Sequence, residues 1–106
     1  MRTLLKFTLD LNAGNKAIKD GSIEKVLQSL KNKIKPEAEY YTTEAGSRCG
    51  FFFFDLKDSS DIPFIAEPLF LELNAKVEFS PVMNGVDLQK GLEKWMKYAN
   101  PELVHA

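Results

Sequence analysis

Four consecutive phenylalanines, Phe51-Phe52-Phe53-Phe54, sit in the middle of a stretch, Arg48 to Leu56, that reads as a β-strand. Neighbouring strand residues point to opposite faces of a sheet. Phe51 and Phe53 therefore project one way, Phe52 and Phe54 the other. Burying a phenylalanine contributes roughly 1.5–3 kcal/mol relative to leaving it in water. A fold that holds this strand needs an apolar cover on both sides of its sheet.

The rest of the chain supplies one cover. Arg2 to Leu9 reads as a strand with Thr3, Leu5, Phe7 and Leu9 on one face and Arg2, Leu4, Lys6 and Thr8 on the other. Asn12, Gly14 and Asn15 give a loop signal. Asp20-Gly21-Ser22 either interrupts a helix or caps its start. Ile23, Val26, Leu27, Leu30 and Ile34 then repeat at helical spacing, and Pro36 ends the run. Glu37 to Glu44 is a second strand, joined by the turn Ala45-Gly46-Ser47 to the phenylalanine strand as an antiparallel hairpin.

A polar loop, Asp58-Ser59-Ser60-Asp61, precedes a second helical stripe of Ile62, Ile65, Ala66, Leu69, Phe70 and Leu73. Pro63 suits its first turn, whereas Pro68 predicts a kink or two short helices. Ala75 to Met83 is a fourth strand, with Val77, Phe79, Pro81 and Met83 on one face, and Pro81 places it at an edge or a bulge. Asn84-Gly85 breaks the strand, and Asp87 is the candidate cap of a last helix with the stripe Leu88, Leu92, Trp95, Met96 and Ala99. Asn100-Pro101 ends that helix, and a loose tail follows.

The order is β-α-β-β-α-β-α in one domain of 106 residues. Its first six elements predict an α+β, ferredoxin-like βαββαβ fold, with a four-stranded antiparallel sheet and a C-terminal helix added. Right-handed crossovers put both helices on the same face. The second pair of phenylalanines then lies on a bare face, for which a second copy of the chain is the expected cover. The alternative is the last helix, with Trp95, folding back over that face.

Segments 35–48 (KPEAEYYTTEAGSR), 51–70 (FFFFDLKDSSDIPFIAEPLF) and 74–83 (NAKVEFSPVM) resemble a group of small uncharacterised bacterial proteins in the dimeric α/β-barrel superfamily. The likeness runs from about Leu4 to Leu92. The resemblance implies a fold and a homodimer but no single reaction, because the superfamily holds cofactor-free monooxygenases, haem-degrading and haem-peroxidatic enzymes, lactone isomerases and plain binding modules. Its enzymes typically use a cavity between sheet and helices. The lone histidine, His105, lies in the expected tail rather than on a core helix, which sets this chain apart from the haem branches.

Charge and motifs narrow the function classes. Fourteen basic against 15 acidic residues leave no surplus for a polyanion, so no nucleic-acid partner is expected, and Lys25, Lys31, Lys33 and Lys35 read as a solvated face. No segment has the length and apolarity of a membrane span, so no membrane partner is expected and a cytoplasmic location is the default expectation. One cysteine, Cys49, makes no internal disulfide and reads as a small core residue, although Arg48 beside it would favour a thiolate. No spacing of His, Cys, Asp and Glu matches a metal site, and no cofactor is expected.

The remaining constellation is Tyr40 or Tyr41, Arg48, Asp55 and Glu67. Arg48 is expected to pair with Glu39 or Glu44 across the hairpin, or else to steer an anionic ligand into a pocket lined by Tyr41, Phe52 and Phe54. Glu67, before Pro68, would enter the same space as a desolvated base, with Lys19-Asp20-Gly21 as its lip. Trp95 and Met96 are packing residues or a clasp on a partner subunit. Three functions follow: a homodimeric module holding a small apolar or aromatic ligand between sheet and helices, a cofactor-independent monooxygenase or isomerase, and a structural interaction domain without a ligand.

Overall fold

The computed structural model describes residues 1–100 and 102, so His105 lies outside the described residues. Strand β1 (Arg2–Thr8) is followed by two helices, α1 (Leu11–Asp20) and α2 (Ser22–Ile34). The hairpin β2 (Ala38–Glu44) and β3 (Ser47–Asp55) comes next, then α3 (Asp61–Leu73), β4 (Lys76–Pro81) and α4 (Gly85–Ala99). The four strands form one antiparallel sheet in the order β2-β3-β1-β4, a ferredoxin-like arrangement whose first crossover carries two helices instead of one.

Alternation along the strands divides the sheet into two unlike faces. On the inner face Leu5 lies between Phe52 and Phe79, Phe7 between Gly50 and Val77, and Thr3 between Phe54 and Pro81. Helices α1, α2 and α3 press Ala17, Val26, Leu30, Ile34, Ile65, Leu69 and Leu73 onto that face in one cluster. Phe52 and Phe54 are 0% and 1% exposed. The Phe7 and Phe52 rings meet edge to face at 5.3 Å.

Local features of the helices settle or revise the sequence expectation. Asn12, Gly14 and Asn15 are helical rather than a loop, because the Asp10 carboxylate accepts from the Ala13 N–H at 2.9 Å and so caps α1 one turn earlier. Asp20-Gly21-Ser22 interrupts the helix: Gly21 takes φ +78°, ends α1, and leaves α2 without a side-chain cap. Pro68 neither splits nor ends α3, which runs as a single helix over Asp61–Leu73 with Ile65, Ala66, Leu69 and Leu73 buried along its length. The burial of that stripe outweighs the hydrogen bond that Pro68 deletes.

The hairpin turn is a two-residue loop, with Ala45 at φ +51° and Gly46 at φ +78° between the paired Glu44 and Ser47. Positive φ at both positions matches the right-handed strand twist. At the other end, α4 is capped by Asn84 and not by Asp87. Asp87 occupies the third helical position and closes a capping box, its N–H donating to Asn84 Oδ1 at 2.8 Å while the Asn84 N–H donates to Asp87 Oδ2 at 3.2 Å.

The Phe7 ring lies flat over Gly50, where an added Cβ would stand 2.8 Å from its Cε1 and 2.9 Å from its Cε2. Gly50→Ala should therefore lower stability by roughly 1–3 kcal/mol through overpacking, read as a lower urea midpoint with an unchanged slope.

Candidate functional site

The five residues singled out by sequence occupy the helix side of the sheet or the helices themselves, and they do not converge on one cavity. Phe52 and Phe54 are core side chains, packed among Leu5, Phe7, Leu69 and Leu73. Tyr41, on the same face of the edge strand β2, is half-open and sets its ring edge-on to Phe52 at 5.9 Å. Its hydroxyl donates to Glu39 at 2.8 Å. Partial burial, then that hydrogen bond to a carboxylate, pushes the phenol well above its ordinary value of 10.0, so Tyr41 is a neutral donor at physiological pH. Glu67 is exposed on α3.

Arg48 does not make the hairpin ion pair expected of it. Glu44 is taken by Lys6 at 2.7 Å and Glu39 by Lys31 at 3.1 Å. The Arg48 side chain shares the inner-face parity of Gly50 and Phe52 and runs under α1, where Nη1 would stand 2.8 Å from a Cβ at Gly14. Gly14 is thus the residue that lets the helix approach the guanidinium. Nη1 is buried and has no hydrogen-bond partner among the described residues. A buried donor without a partner costs about 1–3 kcal/mol.

Concave space on the described surface lies over the helices. A groove of about 650 Å3 runs between α1, α2 and α3, with Val26, Leu30, Ile65 and Leu69 in its floor and Lys16, Lys25 and Lys33 at its rim. Asp20 of the expected lip lines it, but none of Tyr41, Arg48, Phe52, Phe54 and Glu67 does. Phe54 lines a smaller depression of about 270 Å3 beside Lys35, Leu56 and Phe64. The lysines expected as a solvated face are divided in role. Lys31 holds Glu39, while Lys33 donates to the Phe64 carbonyl at 3.0 Å and lies 4.4 Å from its ring centre.

The outer face of the sheet is the other candidate surface. Its register brings Phe53 opposite Leu4 and Ala38, and Phe51 opposite Lys6 and Tyr40. Phe51, Phe53 and Leu4 are half-buried by one another, and Tyr40, 62% exposed, meets Phe53 edge-on at 6.4 Å. None of the four belongs to the core cluster beneath the helices. Cys49 shares this parity yet is fully buried, with the Thr8 hydroxyl 3.5 Å from its sulfur. Lys6 closes one end of the patch between Glu44 at 2.7 Å and Glu78 at 3.7 Å. The hydrogen bond to Glu44 dominates its environment and raises its pKa.

Among the described residues, no group of three His, Cys, Asp or Glu side chains is placed to hold a metal ion. No described helix is long and apolar enough to cross a membrane. Compared with family models, with curated proteins and with solved structures, the chain gives no significant match.

Two outcomes are expected. Arg48→Met retains the stem and removes the unpartnered donor, so its urea midpoint should rise by the equivalent of about 1 kcal/mol. Hydrogen bonds hold several carboxyls below their ordinary values: Glu39 through Tyr41, Glu44 through Lys6, Asp55 through the N-terminus. A lowered carboxyl pKa gives stability that is present above its unfolded value and is lost as pH falls through the folded one. The urea midpoint should therefore stay level down to about pH 5, then decline below the ordinary values of 4.5 and 3.8, and Glu44→Gln should flatten that decline.

Proposed function

We propose that the protein is a homodimeric interaction module whose open sheet face is covered by a second copy of the same chain. The observation that carries this reading is the row Leu4, Phe51, Phe53 and Tyr40 on the face opposite the helices. Completing the burial of each half-covered ring adds about 1 kcal/mol, and a two-fold axis counts every contact twice. Summed over four apolar side chains from each copy, this is about 8 kcal/mol of burial to set against an association cost of about 4 kcal/mol or more.

Of the three functions the sequence leaves open, this one asks least of the interior. A ligand between sheet and helices needs room where Leu5, Phe7, Phe52, Phe54, Leu69 and Leu73 are packed. An acid–base enzyme using Glu67 needs that carboxylate withdrawn from water, and it is exposed. The module reading uses the apolar face as it stands and agrees with the resemblance to dimeric α/β barrels.

Sedimentation equilibrium should give twice the 12.0 kDa chain mass at micromolar concentration. Phe53→Lys should give the single-chain mass with an unchanged circular dichroism spectrum. Leu4→Lys, at the paired position on β1, repeats the test should Phe53→Lys misfold. A wild-type chain that stays at 12.0 kDa overturns the reading.

A further inference from the structure

Helix α4 is a well-formed element with nothing packed beneath it among the described residues. It is 15 residues long, closed at its start by the Asn84–Asp87 capping box and carrying Lys97 in its last turn. Its apolar residues Leu88, Leu92, Trp95, Met96 and Ala99 fall on one side, whereas Lys90, Glu93, Lys94 and Lys97 fall on the other. None of its residues is buried, and Trp95 is 59% exposed. The radius of gyration is 18.4 Å, against about 13 Å for a compact chain of this length, and the longest axis is 66 Å against 19 Å for the shortest. A lone helix of this length is marginal in water, and its stability comes from packing its apolar side.

We infer that α4 is an exchanged arm: its apolar stripe lies across the outer sheet face of a second copy of this chain. This rests on the homodimer reading and adds the element that grips. The stripe and the face are two apolar surfaces of one chain that do not meet within it. Helix α4 leaves from β4, whose outward residues Lys76, Glu78 and Ser80 are polar, while the apolar patch lies on β1, β3 and β2. Fifteen residues make a helix about 22 Å long, and four strands make a sheet about 19 Å wide, so the arm spans the sheet. A helix about 10 Å across leaves part of the strand length free for the partner's own sheet.

The area is also sufficient. Aromatic side chains offer about 150–250 Å2 each, and Trp95 and Tyr40 are mostly uncovered. With Leu88, Leu92, Met96, Leu4, Phe51 and Phe53, each copy offers on the order of the 800 Å2 per partner that a stable interface buries. A lipid surface fits less well. The polar side of α4 sets Lys90, Lys94 and Lys97 against Asp87 and Glu93, three positive charges less two negative, and the whole chain is −1.

Three measurements on the full chain test the arm. Leu92→Lys with Met96→Lys should weaken the wild-type dimer on the order of 100-fold, two central apolar contacts being lost at each of two equivalent sites. Emission of Trp95, the only tryptophan, should shift to the blue as protein concentration rises through the dimer Kd, without lipid. Oxidising a mixture of Trp95→Cys chains and Tyr40→Cys chains should give a linked pair that neither gives alone, since the native thiol of Cys49 is buried. A wild-type dimer whose affinity ignores the α4 substitutions overturns the arm and leaves the homodimer standing. Linked pairs from Trp95→Cys chains alone overturn it in favour of α4 pairing with α4. A blue shift only with anionic vesicles overturns it in favour of a membrane surface. A monomeric wild type overturns both readings.

Discussion

The central strand pair β1 and β3 carries the molecule, and its key contact is the layer in which Leu5 stands between Phe52 and Phe79. Leu5 and Phe52 are completely buried. Helices α1, α2 and α3 keep water off that layer. Leu69 and Leu73 of α3 and Val26 and Leu30 of α2 lie on it. Gly50 gives up its own side chain so that the Phe7 ring can occupy the space. Because close-packed interiors tolerate little change in volume, this layer leaves no freedom for a ligand-sized void beside Phe52.

The same strand produces the opposite situation on its other side. Phe51 and Phe53 have no helix above them, and only Leu4, Ala38, Tyr40 and each other give cover within the sheet. A four-phenylalanine run on a sheet with one helical layer necessarily sends half its rings to the open face, since the backbone alternates whatever the side chains are. Polar groups bound that patch: Lys6 bridges Glu44 and Glu78, and Arg2 donates to Glu37 at 3.0 Å. An apolar centre with a paired-charge rim is the usual anatomy of a protein–protein contact.

Among the described residues, Arg48 beside Gly14 is where the interior holds an unresolved polar demand. The guanidinium reaches the first turns of α1, where Asp10 already accepts from Ala13, and its Nη1 finds no acceptor. Close approach of helix and sheet near the N-terminal end of α1 is thus set by a glycine and a charged side chain together, and not by apolar packing alone.

Periodicity made much of this legible. The strands, the two crossover stripes, the hairpin and the face of each phenylalanine could be read from alternation and helical spacing, because such patterns reflect which side of an element meets the core. The first helix was not, since Asn12, Gly14 and Asn15 are loop formers locally, and the Asp10 cap together with the burial of Gly14 and Ala17 holds them helical. Pro68 misled for a related reason: the cost of a proline is local, whereas the burial that offsets it is spread over α3. The candidate site was the least legible part. That Lys6 and Lys31 would take the glutamates expected for Arg48, or that Glu67 would face water, depends on distances across the sheet and between helices. By itself the sequence determined the elements, their faces and the need for cover on both sides of β3, all of which follow from residue order and backbone geometry. Only the tertiary structure decided which face the helices cover, how fully Phe and Leu side chains fill the space beneath them, and that α4 stands away from its own sheet. Those outcomes come from volumes and contacts among residues far apart in the chain, which no local pattern encodes.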